Sequence, residues 1–131
     1  MNVLVDTCIW SMALRRKTNI ESPEINNLKE LILDSRAILM GAIRQELLSG
    51  ISKKLQFNHL KNHLRAFPDL ELKMEDFELA TDFFNTCRKK GIQGSNTDFL
   101  ICAVSVNHKI PIFTVDNDFL LYKKNLPIQL Y

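Results

Sequence analysis

The sequence predicts an α/β fold, a parallel β-sheet flanked by α-helices within one domain. Three observations carry that expectation. The apolar runs "NVLV" (2–5), "RAILMG" (36–41) and "IPIFT" (110–114) lack the apolar-polar alternation of a half-exposed strand, which marks strands covered on both faces. Segments with a helical apolar period lie between them, and parallel neighbours need such crossovers. No linker, repeat or low-complexity stretch divides the 131 residues, a length that suits a single core.

The elements follow in order. "NVLV" stops at Asp6, and a helix carrying Ile9, Trp10, Ala13 and Leu14 leaves it. In "SPEINNLKELILDS", Ser22 stands as N-cap and Pro23 at the first helical position, with Ile25, Leu28, Leu31 and Ile32 on one face. After the strand "RAILMG", "AIRQELLSG" reads as a helix closed by Gly50. "SKKLQFNHLKNHLRAF" continues helically, with Phe57, Leu60, Leu64 and Phe67 at helical spacing, until Pro68 ends it. "LELK" (70–73) is expected to form a short strand. Residues 75–90 place Phe77, Ala80, Phe84 and Cys87 on a helical face stopped by Gly91. Then come the loop "IQGSN", a helix from Thr97 to about His108, the strand "IPIFT", and a short helix from Phe119. Pro111 has no N–H to donate, so its strand lies at an edge or starts one residue later.

Composition narrows the function classes. With 46% hydrophobic and 24% charged residues, the chain is ordinary for a globular protein and unlike a disordered one. Its apolar runs fall far short of the roughly 20 residues that span a bilayer. The N-terminus lacks a basic start, a long apolar stretch and a small-residue cleavage site, so no membrane association and a cytoplasmic location are expected. Cys8, Cys87 and Cys102 are odd in number and form no C-x-x-C, which argues for reduced, mostly buried thiols. A net charge of +2 does not announce a nucleic-acid binder, because phosphate affinity comes from local clusters. Such clusters occur at "RRK" (15–17), "KK" (53–54), "RKK" (88–90) and "KK" (123–124), where solvated helix faces are the ordinary reading.

Acidic residues stand out by context: Asp6 after "NVLV", Glu46 inside "AIRQELL", Asp98 before "FLICA", and Asp116 with Asp118 in "TVDNDF". Each has an ordinary explanation. Asp98 gains from the positive helix end, where Ser95, Asn96 or Thr97 can act as cap. Together they mean more, because Asp6 and Asp116 follow strands at one sheet rim, where ligands bind in open parallel sheets. Two carboxylates ~4 Å apart repel by roughly 4 kcal/mol at an effective dielectric near 20. Such a cluster protonates, rearranges or binds a cation. Oxygen donors without His or Cys suit Mg2+ or Mn2+, and that chemistry is phosphodiester hydrolysis, with Asp98 placed to orient or deprotonate the water.

Other candidate sites are weaker. His59 and His63 share a helix face in "HLKNH" but lack the glutamate of H-E-x-x-H and a third ligand. Cys8 begins a helix, a position that can lower a thiol pKa, but local sequence puts no histidine beside it. "GIQGSN" is not followed by Lys-Ser/Thr and is no P-loop. Phe77, Phe83 and Phe84 read as core.

"VLVDTCIW", "RQELLSG", "TDFLICA" and "IFTVDNDF" resemble, in order and spacing, the four signatures of PIN-domain ribonucleases. The compact length is similar to VapC-type toxins of bacterial toxin-antitoxin pairs, and the resemblance covers essentially 1–131. It implies a metal-dependent endoribonuclease with catalytic Asp6, Glu46, Asp98 and Asp116, of which Asp6, Asp98 and Asp116 would hold Mg2+ or Mn2+. Thr114 would orient a carboxylate or water, and Asp118 stands in if Asp116 turns away. The resemblance further implies a homodimer, structured RNA such as tRNA or rRNA as substrate, and a cognate antitoxin whose C-terminal segment covers the site. Cys8 departs from the Ser or Asn often found after "DT". Independently, Arg15, Arg16 and Lys17 are expected to form a phosphate-contacting edge. Two alternatives stand beside this reading. One is a non-catalytic module of the same fold that binds RNA or protein. The other is a magnesium-dependent phosphotransfer receiver, which needs paired acids where this chain has "DTC".

Overall fold

A computed structural model describes residues 1–14 and 21–131. Arg15, Arg16 and Lys17 lie outside the described residues. Strand β1 (Val3–Val5) lies between β2 (Ala37–Ile38) and β3 (Ile112–Phe113) in a parallel sheet of order β2-β1-β3. Val3 pairs with Ala37, Leu4 with Ile38 and Ile112, and Val5 with Phe113. Val3, Leu4 and Val5 are each fully buried. Since successive side chains point to opposite faces, both faces of the sheet are covered. The α/β class with a helix-flanked parallel sheet is thus present.

The strands are shorter than the apolar runs that announce them. Burial continues past β2 through Leu39 and Met40, but Leu39 has only an isolated bridge, to Asp69. Apolarity reports burial, whereas a strand also needs a partner backbone. Pro111 lies just before β3, where its carbonyl accepts the Leu4 N–H at 2.9 Å and no donor is needed. On its other side β3 is capped by Leu130 in a single bridge.

Seven helices surround the sheet among the described residues: α1 (Thr7–Leu14), α2 (Pro23–Leu33), α3 (Gly41–Leu48), α4 (Lys54–Leu64), α5 (Met74–Lys89), α6 (Asn96–His108) and α7 (Asp118–Lys123). Ser22 caps α2 as expected, its hydroxyl accepting the Ile25 N–H at 3.1 Å. Helix α6 is buried continuously from Phe99 to Ser105, the mark of a helix enclosed on all sides. Phe67 falls beyond the end of α4, yet its ring meets Trp10 edge-on with centroids 5.0 Å apart.

Two expectations are corrected. "LELK" forms no strand; the only pairing there is the Leu39–Asp69 bridge, followed by a Leu70 N–H bond to Leu39 O at 2.9 Å. The chain then turns into the cap of α5, where the Lys73 N–H donates to Asp76 at 3.0 Å. Phe77 is 53% exposed, and the buried face of α5 is Asp76, Ala80, Phe83 and Cys87. Asp76 accepts from Asn107 Nδ2 at 2.9 Å and lies 3.3 Å from His108 Nε2. That tether to α6 turns position 76 inward and so rotates Phe77 outward.

Arg44 closes the junction of α3 and α4. Its guanidinium ion-pairs with Asp69 at 3.0 Å and donates to the carbonyls of Leu64, at 3.1 Å, and Phe67. Leu64 is the last residue of α4, where intrahelical donors run out, and Phe67 lies in the turn just beyond it. Arg44→Ala is expected to cost about 2 kcal/mol in urea unfolding, because it removes the donor to the Phe67 carbonyl and the charge partner of Asp69. Arg44→Lys should recover less than half, since an ammonium cannot reproduce the fork.

Asp76 supplies a pH signature. Burial alone would raise its pKa, but the bonds from the Lys73 N–H, Asn107 and His108 outweigh it and hold the carboxyl below its usual range. A depressed folded pKa gives stability that is present above the unfolded pKa and lost as pH falls through the folded one. Asp76→Asn should therefore be less stable than wild type at pH 7, with the gap closing on strong acidification.

Candidate active site

Because β1 and β3 run parallel and in register, the residues after them emerge together. Asp6 follows β1, and its N–H donates to Phe113 O at 2.9 Å, carrying the pairing one bond further. The Asp6 side chain is 6% exposed. Its Oδ1 accepts the Thr7 N–H at 2.8 Å, and its Oδ2 accepts the Thr114 hydroxyl at 2.7 Å. Burial pushes the Asp6 pKa up and these bonds oppose the rise, while the negative charge of Asp98 adds to it. Thr114 works in both directions, since its oxygen also accepts the Asp116 N–H at 3.0 Å.

Cys8 lies at the same corner. Its Sγ is 3.4 Å from Asp6 Oδ2 and 3.4 Å from Thr114 Oγ1. Burial raises its pKa, so it stays a neutral thiol and a weak donor to Asp6. The helix-start position does not make it a nucleophile.

Thr7 joins a second carboxylate to the first. Its N–H holds Asp6, and its hydroxyl donates to Glu46 Oε1 at 2.6 Å. That bond ties the start of α1 to α3, on which Glu46 faces outward while Ile43 and Leu47 face the core.

Asp98 sits in the first turn of α6. Ser95 is the cap, its hydroxyl accepting the Asp98 N–H at 3.0 Å. Asp98 Oδ2 accepts the Tyr122 hydroxyl at 2.8 Å. Burial raises the Asp98 pKa, the bonds from Tyr122 and Ser95 lower it, and the charges of Asp116 and Asp118 raise it further.

One carboxylate oxygen each from Asp98, Asp116 and Asp118 lies within 4.8 Å of the others. Asp118, expected as a substitute should Asp116 turn away, lies beside Asp116, its N–H bonded to Asp116 Oδ1 at 2.9 Å. Asp6, expected in the metal set, lies outside this close group; both its oxygens are engaged at the base of the rim by Thr7 and Thr114. Glu46 lies outside it too and reaches the others through Thr7.

The sequence reading missed Thr7 as a bridge and Tyr122 as a partner of Asp98. Tyr122 stands three residues after Phe119 in an apolar stretch, a pattern that reads as core. Nothing local says that its hydroxyl meets residue 98.

The donor set fits a hard divalent cation. Three carboxylates crowd together, and among the described residues no lysine or arginine forms an ion pair with them. All donors are oxygens, which suits Mg2+ or Mn2+ over zinc.

Solved structures share the fold at low identity. FitAcB from Neisseria gonorrhoeae superposes with a TM-score of 0.77 at 18% identity, covering 98% of this chain and 96% of that one. VapBC2 from Rickettsia felis, bound to a DNA fragment from their promoter, gives 0.77 at 18%, covering 100% and 98%. VapBC-1 from nontypeable Haemophilus influenzae gives 0.71 at 17%, covering 100% and 97%. No curated protein sequence gives a significant match. The PIN domain family model matches residues 3–125, nearly the whole span over which the strands and acidic residues are arranged, and the chain belongs to the PIN domain family.

Proposed function

We propose that this PIN domain is a metal-dependent endoribonuclease and the toxin of a toxin-antitoxin pair, cutting structured RNA such as tRNA or rRNA. The observation that carries the reading is the approach of Asp98, Asp116 and Asp118 oxygens to within 4.8 Å of one another. Similarity to a toxin-antitoxin complex from Klebsiella pneumoniae supports the biological half, with a TM-score of 0.63. The partners follow: an RNA substrate, a cognate antitoxin and a second copy of the chain. No helix among the described residues is long and apolar enough to cross a membrane.

Asp98, Asp116 and Asp118 would hold Mg2+ or Mn2+, with Asp6 behind them and Glu46 at the outer edge. A divalent cation there supplies positive charge to the phosphodiester and acidity to water. The protein's own groups do the positioning. Thr114 fixes Asp6 and the Asp116 backbone with one hydroxyl, and Thr7 fixes Asp6 and Glu46. Asp98, at the head of α6, would orient the attacking water or take its proton. Arg15, Arg16 and Lys17 would contact RNA phosphates on the chain that leaves α1.

Purified protein with Mn2+ should cut total cellular RNA at discrete positions. Excess chelator, or Asp98→Asn made identically, should lower the rate at least ~100-fold, the scale of losing a few kcal/mol of charge stabilisation. Equal cutting by wild type and variant would reject the assignment. No cutting by any preparation would favour a binding module of the same fold.

A second expectation concerns the metal-free protein. Asp98 has a raised folded pKa, so its contribution is full below the unfolded pKa and lost as pH rises through the folded one. In chelator at pH 7, Asp98→Asn should melt above wild type, with the difference shrinking on acidification. Added Mn2+ should raise the Tm of wild type alone.

A further inference from the structure

We propose that Tyr122 is a positioning residue for the metal site, aiming the Asp98 carboxylate through a partly buried hydrogen bond. The inference rests on the reading of Asp98 as a metal ligand. The Tyr122 side chain is fully buried on α7. Its ring packs against Phe99 of α6, with centroids 5.0 Å apart, and against Phe119, at 5.2 Å. Phe99 directly follows Asp98, so the ring contact and the 2.8 Å hydroxyl contact to Asp98 Oδ2 fix the same stretch of α6. Ser95 holds the Asp98 backbone N–H from the other side. Asp98 is therefore fixed at backbone and side chain, with its carboxylate within 4.8 Å of oxygens of Asp116 and Asp118.

Gly94 makes room for this arrangement. A Cβ there would lie 2.4 Å from the Tyr122 hydroxyl and 2.8 and 2.9 Å from Phe99 ring atoms. The need is for space, since Gly94 is not among the positive-φ glycines. A glycine in the α5–α6 loop, a tyrosine on α7 and an aspartate on α6 are thus fitted around one hydrogen bond. Partners that orient a metal ligand typically change metal affinity or activity 10–100-fold when removed.

The test is a calorimetric titration of Mn2+ into the full chain, for wild type, Asp98→Asn and Tyr122→Phe, with RNA cleavage followed in parallel. Phenylalanine keeps the packed ring and removes only the donor. Tyr122→Phe is expected to bind Mn2+ 10–100-fold more weakly, and at saturating Mn2+ to lose kcat with KM for RNA unchanged. A ring that merely fills the core would leave both the affinity and the kcat in place. Wild-type Mn2+ affinity in Tyr122→Phe, with binding lost in Asp98→Asn, overturns the inference and leaves the metal reading standing. Absence of Mn2+ binding by wild type overturns both. Should Tyr122→Phe fail to fold, Gly94→Ala provides the independent arm: weakened Mn2+ binding supports the role and unchanged binding rejects it.

Discussion

Mutual repulsion among carboxylates at one rim of the sheet is the constraint around which the molecule is arranged. Asp98, Asp116 and Asp118 come within a distance at which like charges oppose one another by kcal/mol amounts, with Asp6 buried close behind. The described residues bring no lysine or arginine into ion-pair contact with them. Neutral donors hold them instead: the Thr7 N–H and Thr114 hydroxyl on Asp6, the Thr7 hydroxyl on Glu46, and the Tyr122 hydroxyl on Asp98. Neutral donors fix geometry without cancelling charge. The negative charge at the rim is therefore left in place for the proposed cation to meet.

The fold supplies the rigidity that this repulsion requires. Two parallel strands in register deliver Asp6 and Thr114 side by side. Asp98 is delivered by α6, a helix buried for seven successive residues and clamped along α5. At the far end of that helix, Asn107 and His108 are tied to Asp76. A helix pinned at its C-terminal end and capped by Ser95 at its start has little freedom to swing its first turn outward. Packing energy spent far from the rim thus holds charges together at the rim.

Much of this was legible in the sequence. Buried strands announce themselves by runs without alternation, so Val3–Val5 and its Asp6 terminus could be placed directly, and their parallel order put Asp6 and Asp116 at one rim. The Ser22–Pro23 start of α2 is local chemistry and was equally readable. What could not be read depends on contacts between distant segments. Phe77 and Phe83 both fit a helical period on α5, and the Asp76 tether to α6 decides which one is buried. "LELK" has strand-like residues but finds no partner edge. Asp6 belongs to the rim yet falls outside the closest trio of oxygens, because Thr7 and Thr114 hold it at the base. Tyr122 looks like core because it is core, and only its hydroxyl serves the site.

Crystals soaked in Mn2+ and measured at the manganese absorption edge test most directly whether the acidic rim is a metal site. An anomalous peak about 2.1 Å from carboxylate oxygens of Asp98 and Asp116, the bond length of a small hard cation, with Asp118 or Asp6 completing the set, is the expected result. No peak at the rim under saturating Mn2+, with these carboxylates in the same positions, would contradict it.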